Sequence, residues 1–301
     1  MIQFFNPAAQ LFVNGMNAIE ARAERAQQQL TTGKKINSVS DEPDQIAALM
    51  AVNQQIAQNT QITSNLGRVK TETDTAESSI SNAVQLMDQV STLATQAEPT
   101  TQPADTRAQI AAQVGSILQQ LVQIGNTTVE GRYIFSGDSD ENPAYSIDLT
   151  QTNPVSAYQG SAATRQIQAP DGSTFAVAQT AQQIFDAADP TQNVFSTVSA
   201  LRTALLNNDQ TGIDNAIGNL KSASTYLNGA LAFYGNAQDK VNNAINYAQS
   251  FQTQLQTQQS GIQDADLTQA ITDMQQASLQ QQAALAAESK MPQTTLFNYL
   301  A

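Results

Sequence analysis

The sequence predicts a mainly α protein: a long antiparallel helical rod or coiled coil, with paired terminal helices and a small inserted β-rich domain. Three observations predict it. Apolar residues recur at alternating spacings of 4 and 3 through five separate stretches, which marks one stripe along a helix. The pattern gives way between Gly131 and about Gln179 to short runs of Tyr, Ile and Phe separated by turn residues. Aromatics are 6% and charged residues 13% of the 301 residues. Soluble domains average about 25% charged, so Gln, Asn, Ser and Thr carry the polarity here, and thin seams suit the chain better than a thick aromatic core.

The elements follow in order. Phe12, Met16, Ile19, Ala23, Ala26 and Leu30 form the first stripe, which stops at Thr31-Thr32-Gly33. After a polar loop, Asp41-Glu42-Pro43-Asp44 is a helix start, with proline in the first turn and acids near the positive end of the dipole. Ile62, Leu66, Val69, Thr73, Ala76, Ile80, Ala83, Met87, Val90 and Ala94 form the longest unbroken early stripe, and Leu49, Val52 and Ile56 extend it upstream with one phase slip. A single helix over 44–97 is roughly 80 Å long. Glu98-Pro99 and Pro103 end it and force a short turn. The third helix carries Ile110, Val114, Ile117, Leu121, Ile124 and Thr128, and the short connection makes it an antiparallel neighbour of the second.

Within the insertion, Tyr133–Phe135, Tyr145–Ile147 and Gln166–Gln168 are short strand candidates. Pro170-Asp171-Gly172-Ser173 is a turn expected to join 166–169 to 174–177 as a hairpin. A weaker helix is expected over 193–206. The stripe then returns from Ile213 through Leu220, Leu227, Tyr234 and Val241 to Ala248, predicting a helix over 211–260 with a possible joint at Ser260-Gly261. Leu267, Ile271, Met274, Ser278, Gln281 and Leu285 mark the last helix. These stripes fit a monomeric antiparallel bundle and an assembly of copies equally well.

Composition excludes much chemistry. With no Cys and no His, thiolate nucleophiles, zinc–thiolate sites and the commonest general base are absent. The net charge of −13 argues against a nucleic-acid partner. No apolar run reaches the length of a membrane span, so no membrane insertion is expected. Asp138-Ser-Asp140-Glu-Asn142 matches the opening of a calcium loop, but Pro143 and Leu149 stand where that loop needs Gly and Glu, so a solvated acidic loop is the better reading. Asp264 or Asp266 is expected to cap the last helix. Lys34-Lys35 is a solvated basic spot or a subunit contact. No catalytic constellation, cofactor site or metal site emerges, and the chain is read as no enzyme.

Three stretches carry a family resemblance. Gln28-Gln29-Leu30-Thr31-Thr32-Gly33-Lys34-Lys35-Ile36-Asn37 followed by Ser40-Asp41-Glu42-Pro43 resembles the N-terminal signature of the bacterial flagellin family. Gly131-Arg132-Tyr133-Ile134-Phe135-Ser136-Gly137 is similar to the motif that hook-associated members carry at the exit of the third helix. Residues 277–301, ending Leu296-Phe297-Asn298-Tyr299-Leu300, resemble the family's C-terminal end. The opening with Phe4, Phe5 and Pro7 departs from the short polar lead usual there.

The resemblance implies a structural subunit of the flagellum, exported unfolded without a cleaved signal peptide and assembled outside the cell between hook and filament. It implies an inner assembly domain of 1–43 with 263–301, a rod of 44–130 with 191–262, and an outward insertion of 131–190. Implied partners are copies of itself, neighbouring hook-associated and flagellin subunits, and an export chaperone. The family motif residues are Gly33, Lys34, Asn37, Asp41, Pro43, Gly131, Arg132, Tyr133, Phe135 and Gly137. The expected assembly interface is Phe12, Met16, Ile19, Leu30, Leu279, Leu285, Leu296, Phe297 and Leu300, with Phe12, Met16 and Ile19 pairing with Leu279, Leu285 and Leu296. Two other readings stand beside it: a short filament flagellin, and a secreted helical adhesin or effector whose insertion binds a ligand.

Overall fold

The computed structural model describes residues 7–168, 172 and 174–290. Seven helices appear among them: α1 (Pro7–Thr32), α2 (Pro43–Ala97), α3 (Ala104–Gly125), α4 (Ala181–Phe185), α5 (Val194–Leu206), α6 (Gln210–Gln263) and α7 (Leu267–Glu288). Four short strands pair as two antiparallel hairpins: β1 (Thr128–Val129) with β2 (Arg132–Tyr133), and β3 (Gln166–Gln168) with β4 (Thr174–Ala176). The chain divides into two compact units, one of residues up to 58 with those from 251 onward, the other of residues 59–250.

The helix boundaries have local causes. α1 stops where Gly33 takes a left-handed φ of +70°, and the Gly33 N–H donates to Gln29 O at 2.9 Å. α2 opens at Pro43 as expected and ends before Glu98-Pro99. α6 runs unbroken through Ser260 and Gly261 to Gln263, so the expected joint lies three residues later. An isolated glycine inside a well-patterned helix costs only about 1 kcal/mol, too little to break it. α3 ends at Gly125, so Thr128, expected on its stripe, instead opens β1.

In the unit of 59–250 the stripes of α2, α3, α5 and α6 converge on one core. Ile80, Met87, Leu118, Leu121, Leu201 and Leu220 are fully buried there. The insertion feeds aromatics into the same core: Tyr145 meets Phe195 edge-on at 5.0 Å, Phe185 stacks on Phe195 at 5.3 Å, and Phe135 meets Tyr234 edge-on at 6.2 Å. Between 138 and 165 the backbone is mostly irregular. Of the expected strand Tyr145–Ile147 only a single bridge forms, Ile147 to Val155. Tyr145 is buried in the core, Ser146 and Asp148 are exposed, and the segment bonds to 154–159 through Ser156 N to Ser146 O at 2.9 Å and Asp148 N to Pro154 O at 2.8 Å. The hairpin of β3 and β4 forms as expected, with Ile167 opposite Phe175, and both lie over Leu66, Val69, Val241 and Ala248. Its turn lies outside the described residues except Gly172, whose φ of +86° suits the role.

One buried cation closes an end of this unit. Arg107 donates to Ala97 O at 3.1 Å and Pro99 O at 3.0 Å, beyond the carbonyl end of α2. It also reaches Asn208 Oδ1 at 2.7 Å and Gln210 Oε1 at 2.6 Å. The α2–α3 turn and the α5–α6 turn are thereby held by one guanidinium whose fork supplies several fixed donors. Nothing in the 4-and-3 spacing points to this residue.

Candidate assembly surface

The other unit is built from α1, α7 and the adjoining ends of α2 and α6. α1 presents its stripe inward: Phe12, Met16, Ile19, Ala23 and Leu30 are half-buried and Ala26 is fully buried. Opposite it, α7 departs from expectation. Its buried residues are Ala270 and Ala277, each 1% exposed, whereas the predicted stripe faces solvent: Leu267 is 49% exposed, Ile271 47%, Met274 41% and Leu285 54%. Each alanine lies one residue before a stripe position, about 100° around the helix. The expected pairing of Phe12, Met16 and Ile19 with Leu279 and Leu285 is therefore corrected. Leu279 is 69% exposed, on neither the alanine line nor the stripe. The reason is steric: large residues on α1 already fill the seam, and small ones opposite let the helices close on them. Leu296, Phe297 and Leu300 lie outside the described residues.

Leu11, Val13, Val39 and Met50 are exposed in the same unit. Leu11 and Val13 lie on α1, Val39 in the loop after it and Met50 near the start of α2.

The signature loop between α1 and α2 is a hydrogen-bonded knot. Thr31 and Thr32 hydroxyls donate back to Gln27 O and Gln28 O, both at 2.8 Å. Asn37 Nδ2 donates to Lys34 O at 2.9 Å. Asp41 Oδ2 accepts the N–H of Asn37 at 2.9 Å and of Ser38 at 2.7 Å. Those two backbone donors, Ser38 first, hold the Asp41 carboxyl below the ordinary range, and Arg25 adds a smaller pull. Lys35 pairs with Glu42 at 3.5 Å, while the Lys34 side chain is exposed. The loop is tied to the α6–α7 joint through main chain: Lys35 N donates to Gln263 O at 2.6 Å and Ala265 N to Gly33 O at 2.9 Å. Asp266 caps α7 by accepting from Thr268 N and Gln269 N, as anticipated for one of the two aspartates.

The second motif also builds structure. Glu130 and Gly131, at φ +54° and +80°, form the two-residue turn between β1 and β2. Arg132 pairs with Asp140 at 3.2 Å, and Tyr133 N donates to Asp140 O at 2.8 Å. A Cβ at Gly137 would run into the carbonyl oxygens of Ser161 and Ala163. Asp140, an expected member of the acidic loop, also faces Arg165 at 3.8 Å, and Arg165 in turn pairs with Glu72. Its carboxylate is thus engaged by arginines. Among the described residues there is no cluster of three acidic side chains able to hold a metal. No helix among them is long and apolar enough to cross a membrane.

Comparison with known proteins follows the same outline. Residues 5–140 match the bacterial flagellin N-terminal helical region, and residues 211–300 match the bacterial flagellin C-terminal helical region. The flagellar hook-associated protein 3 of Escherichia coli is 25% identical over 259 residues, spanning 84% of this chain and 78% of that protein. The protein of the same description from Salmonella typhimurium is 23% identical over 292 residues, spanning 89% and 90%. A solved flagellar junction protein from Legionella pneumophila superposes with a TM-score of 0.55 at 14% identity, covering 65% of this chain and 99% of that one. That last likeness concerns the fold.

Proposed function

The chain belongs to the bacterial flagellin family, and on that footing we propose that it is a structural subunit of the flagellum assembled at the hook–filament junction. It is a non-enzymatic component of an extracellular organelle, and it works by packing among other flagellar subunits. One observation supports assembly through the termini above all. The α7 stripe carries Leu267, Ile271, Met274 and Leu285, interrupted by Ser278 and Gln281, and its apolar members lie off the buried alanine line. Burying it against neighbours releases water from apolar surface, at about 25 cal/mol per Å². Among the described residues those four side chains keep 41–54% of their surface exposed.

The inner assembly domain is read as 1–43 with 263–301, the rod as 44–130 with 191–262, and 131–190 as an insertion facing outward. Phe12, Met16, Ile19 and Leu30 form the intramolecular seam. Leu279 and Leu285, with Leu296, Phe297 and Leu300 beyond the described residues, serve contacts to other subunits. An export chaperone among its partners completes the reading.

Immunogold labelling of sheared flagella tests the placement. A band at the hook end is expected, and label along the whole shaft would instead mean a filament flagellin. Removing residues 1–30 or 277–301 is expected to abolish incorporation while the 44–262 segment keeps its helical melting transition. Motile cells with intact filaments after deletion of the whole chain would end the flagellar reading.

A further inference from the structure

We infer that the main-chain latch between Gly33–Ile36 and Gln263–Ala265 sets the register of α1 against α7, and so fixes how far along α1 the exposed residues of α7 are offered to other subunits. The helices are antiparallel: Ala265 N reaches Gly33 O at one end, and further along Arg22 Nη1 reaches Gln280 Oε1. Between those points the seam offers little to choose one alignment. Its fully buried members are Ala26, Ala270 and Ala277. Sliding α7 by two turns, about 10.5 Å, brings Ala277 and Ala284 to the places of Ala270 and Ala277 and sets alanines against α1 again. The cross-helix side-chain hydrogen bond among the described residues is that Arg22–Gln280 contact, exposed and 3.4 Å long, which is weak discrimination.

The latch differs in kind. Lys35 N and Ile36 N both donate to Gln263 O, at 2.6 and 3.4 Å, and Gln263 Nε2 donates back to Ile36 O at 3.4 Å. Lys34 and Asp264 form an antiparallel bridge. Ile36 is buried beside these bonds. Such bonds cannot shift by a turn without being broken, because they join fixed main-chain atoms immediately outside both helices. The geometry depends on Gly33, whose φ of +70° strains a β-branched residue but is tolerated by asparagine. Gly33 and Gln263 are positioning residues on this account. The consequence for assembly rests on the proposed function, but the register itself does not.

The chain has no cysteine, so paired cysteines read register directly. Three full-length double variants test it with a short thiol cross-linker: Arg22→Cys with Gln280→Cys, with Asp273→Cys, and with Ala287→Cys. With Gly33 present, the 22–280 pair is expected to dominate at least tenfold. In the Gly33→Val background, the 22–273 and 22–287 pairs are expected to rise to a comparable yield, and Gly33→Asn to restore the 22–280 preference. A Gly33→Val chain that keeps the tenfold preference overturns the inference. Loss of all three cross-links also overturns it, since the latch would then hold the helices together rather than choose their alignment. Either result leaves the immunogold outcome untouched, so failure here and failure of the functional reading are separable.

Discussion

The two units are written in the same 4-and-3 spacing, yet one closes on itself and the other does not. In residues 59–250, stripes from four helices meet around Phe135, Tyr145, Phe185, Phe195 and Tyr234, and of the large apolar residues described there only Leu206 and Tyr247 are exposed. In the other unit two thin helices share a seam centred on alanines, and the larger apolar residues of α7 stay outside. The lesson concerns partner number. A helix stripe is buried only if enough neighbouring surface exists to cover it, and two helices supply one contact line each. The first unit is therefore closed around its core, and the second leaves large apolar side chains uncovered.

That contrast yields graded expectations for stability. Phe135→Ala opens a cavity in the closed core and is expected to cost the 59–250 unit about 4 kcal/mol, read as a lower urea midpoint. Arg107→Met orphans the acceptors at Ala97, Pro99, Asn208 and Gln210 and is expected to cost about 2 kcal/mol in the same transition. A variant as stable as the parent would mean that water or movement of the two turns replaces the guanidinium.

The units also differ in which end of the pH scale loosens them. Burial raises Tyr145 and Tyr234 above the ordinary phenol range, so the folded chain keeps protons that the unfolded chain releases near pH 10. Their contribution is whole below that pH and is lost as pH rises above it, so the 59–250 unit should weaken in alkali. Asp41 is shifted the opposite way. Its contribution is present above the unfolded value of about 3.9 and is lost as pH falls through the lower folded value. Amide exchange at Asn37 and Ser38 should accelerate in acid while core amides of α3 stay protected. Simultaneous acceleration in both regions would contradict the division.

The smallest stability effect belongs to the exposed leucines. Leu279→Ser with Leu285→Ser is expected to change monomer stability by no more than about 0.5 kcal/mol, while incorporation into flagella falls sharply. A large loss in the isolated chain would show that α7 already buries this face within the monomer.

Much of the fold could be read from residue order. The ends of α1 and α2 follow from Gly33, which admits a positive φ, and from Pro43 and Pro99, which fix φ and lack a backbone donor. The stripes of α2, α3 and α6 appear where spacing puts them, with Ile80, Leu121 and Tyr234 all buried. The two signature motifs were visible as patterns, but their work was not. Asp41 accepts from the nearby amides of Asn37 and Ser38 in a loop without periodicity, and Gly137 sits against the carbonyls of Ser161 and Ala163, more than twenty residues on.

What the sequence by itself determined is every helix face: which residues share a side of α1, α2, α3, α6 and α7 follows from 3.6 residues per turn. What only the tertiary structure decided is which of those faces is covered. On α7 the alanine line and the leucine line are both regular, and periodicity ranks the more apolar one as the inner face. The folded unit chose the alanines, because Phe12, Met16, Ile19 and Leu30 of α1 already fill the seam and only small residues fit against them. Arg107 and the Gly33–Ala265 latch lie beyond periodicity for the same reason: each joins chain segments that sequence separation hides and packing brings together.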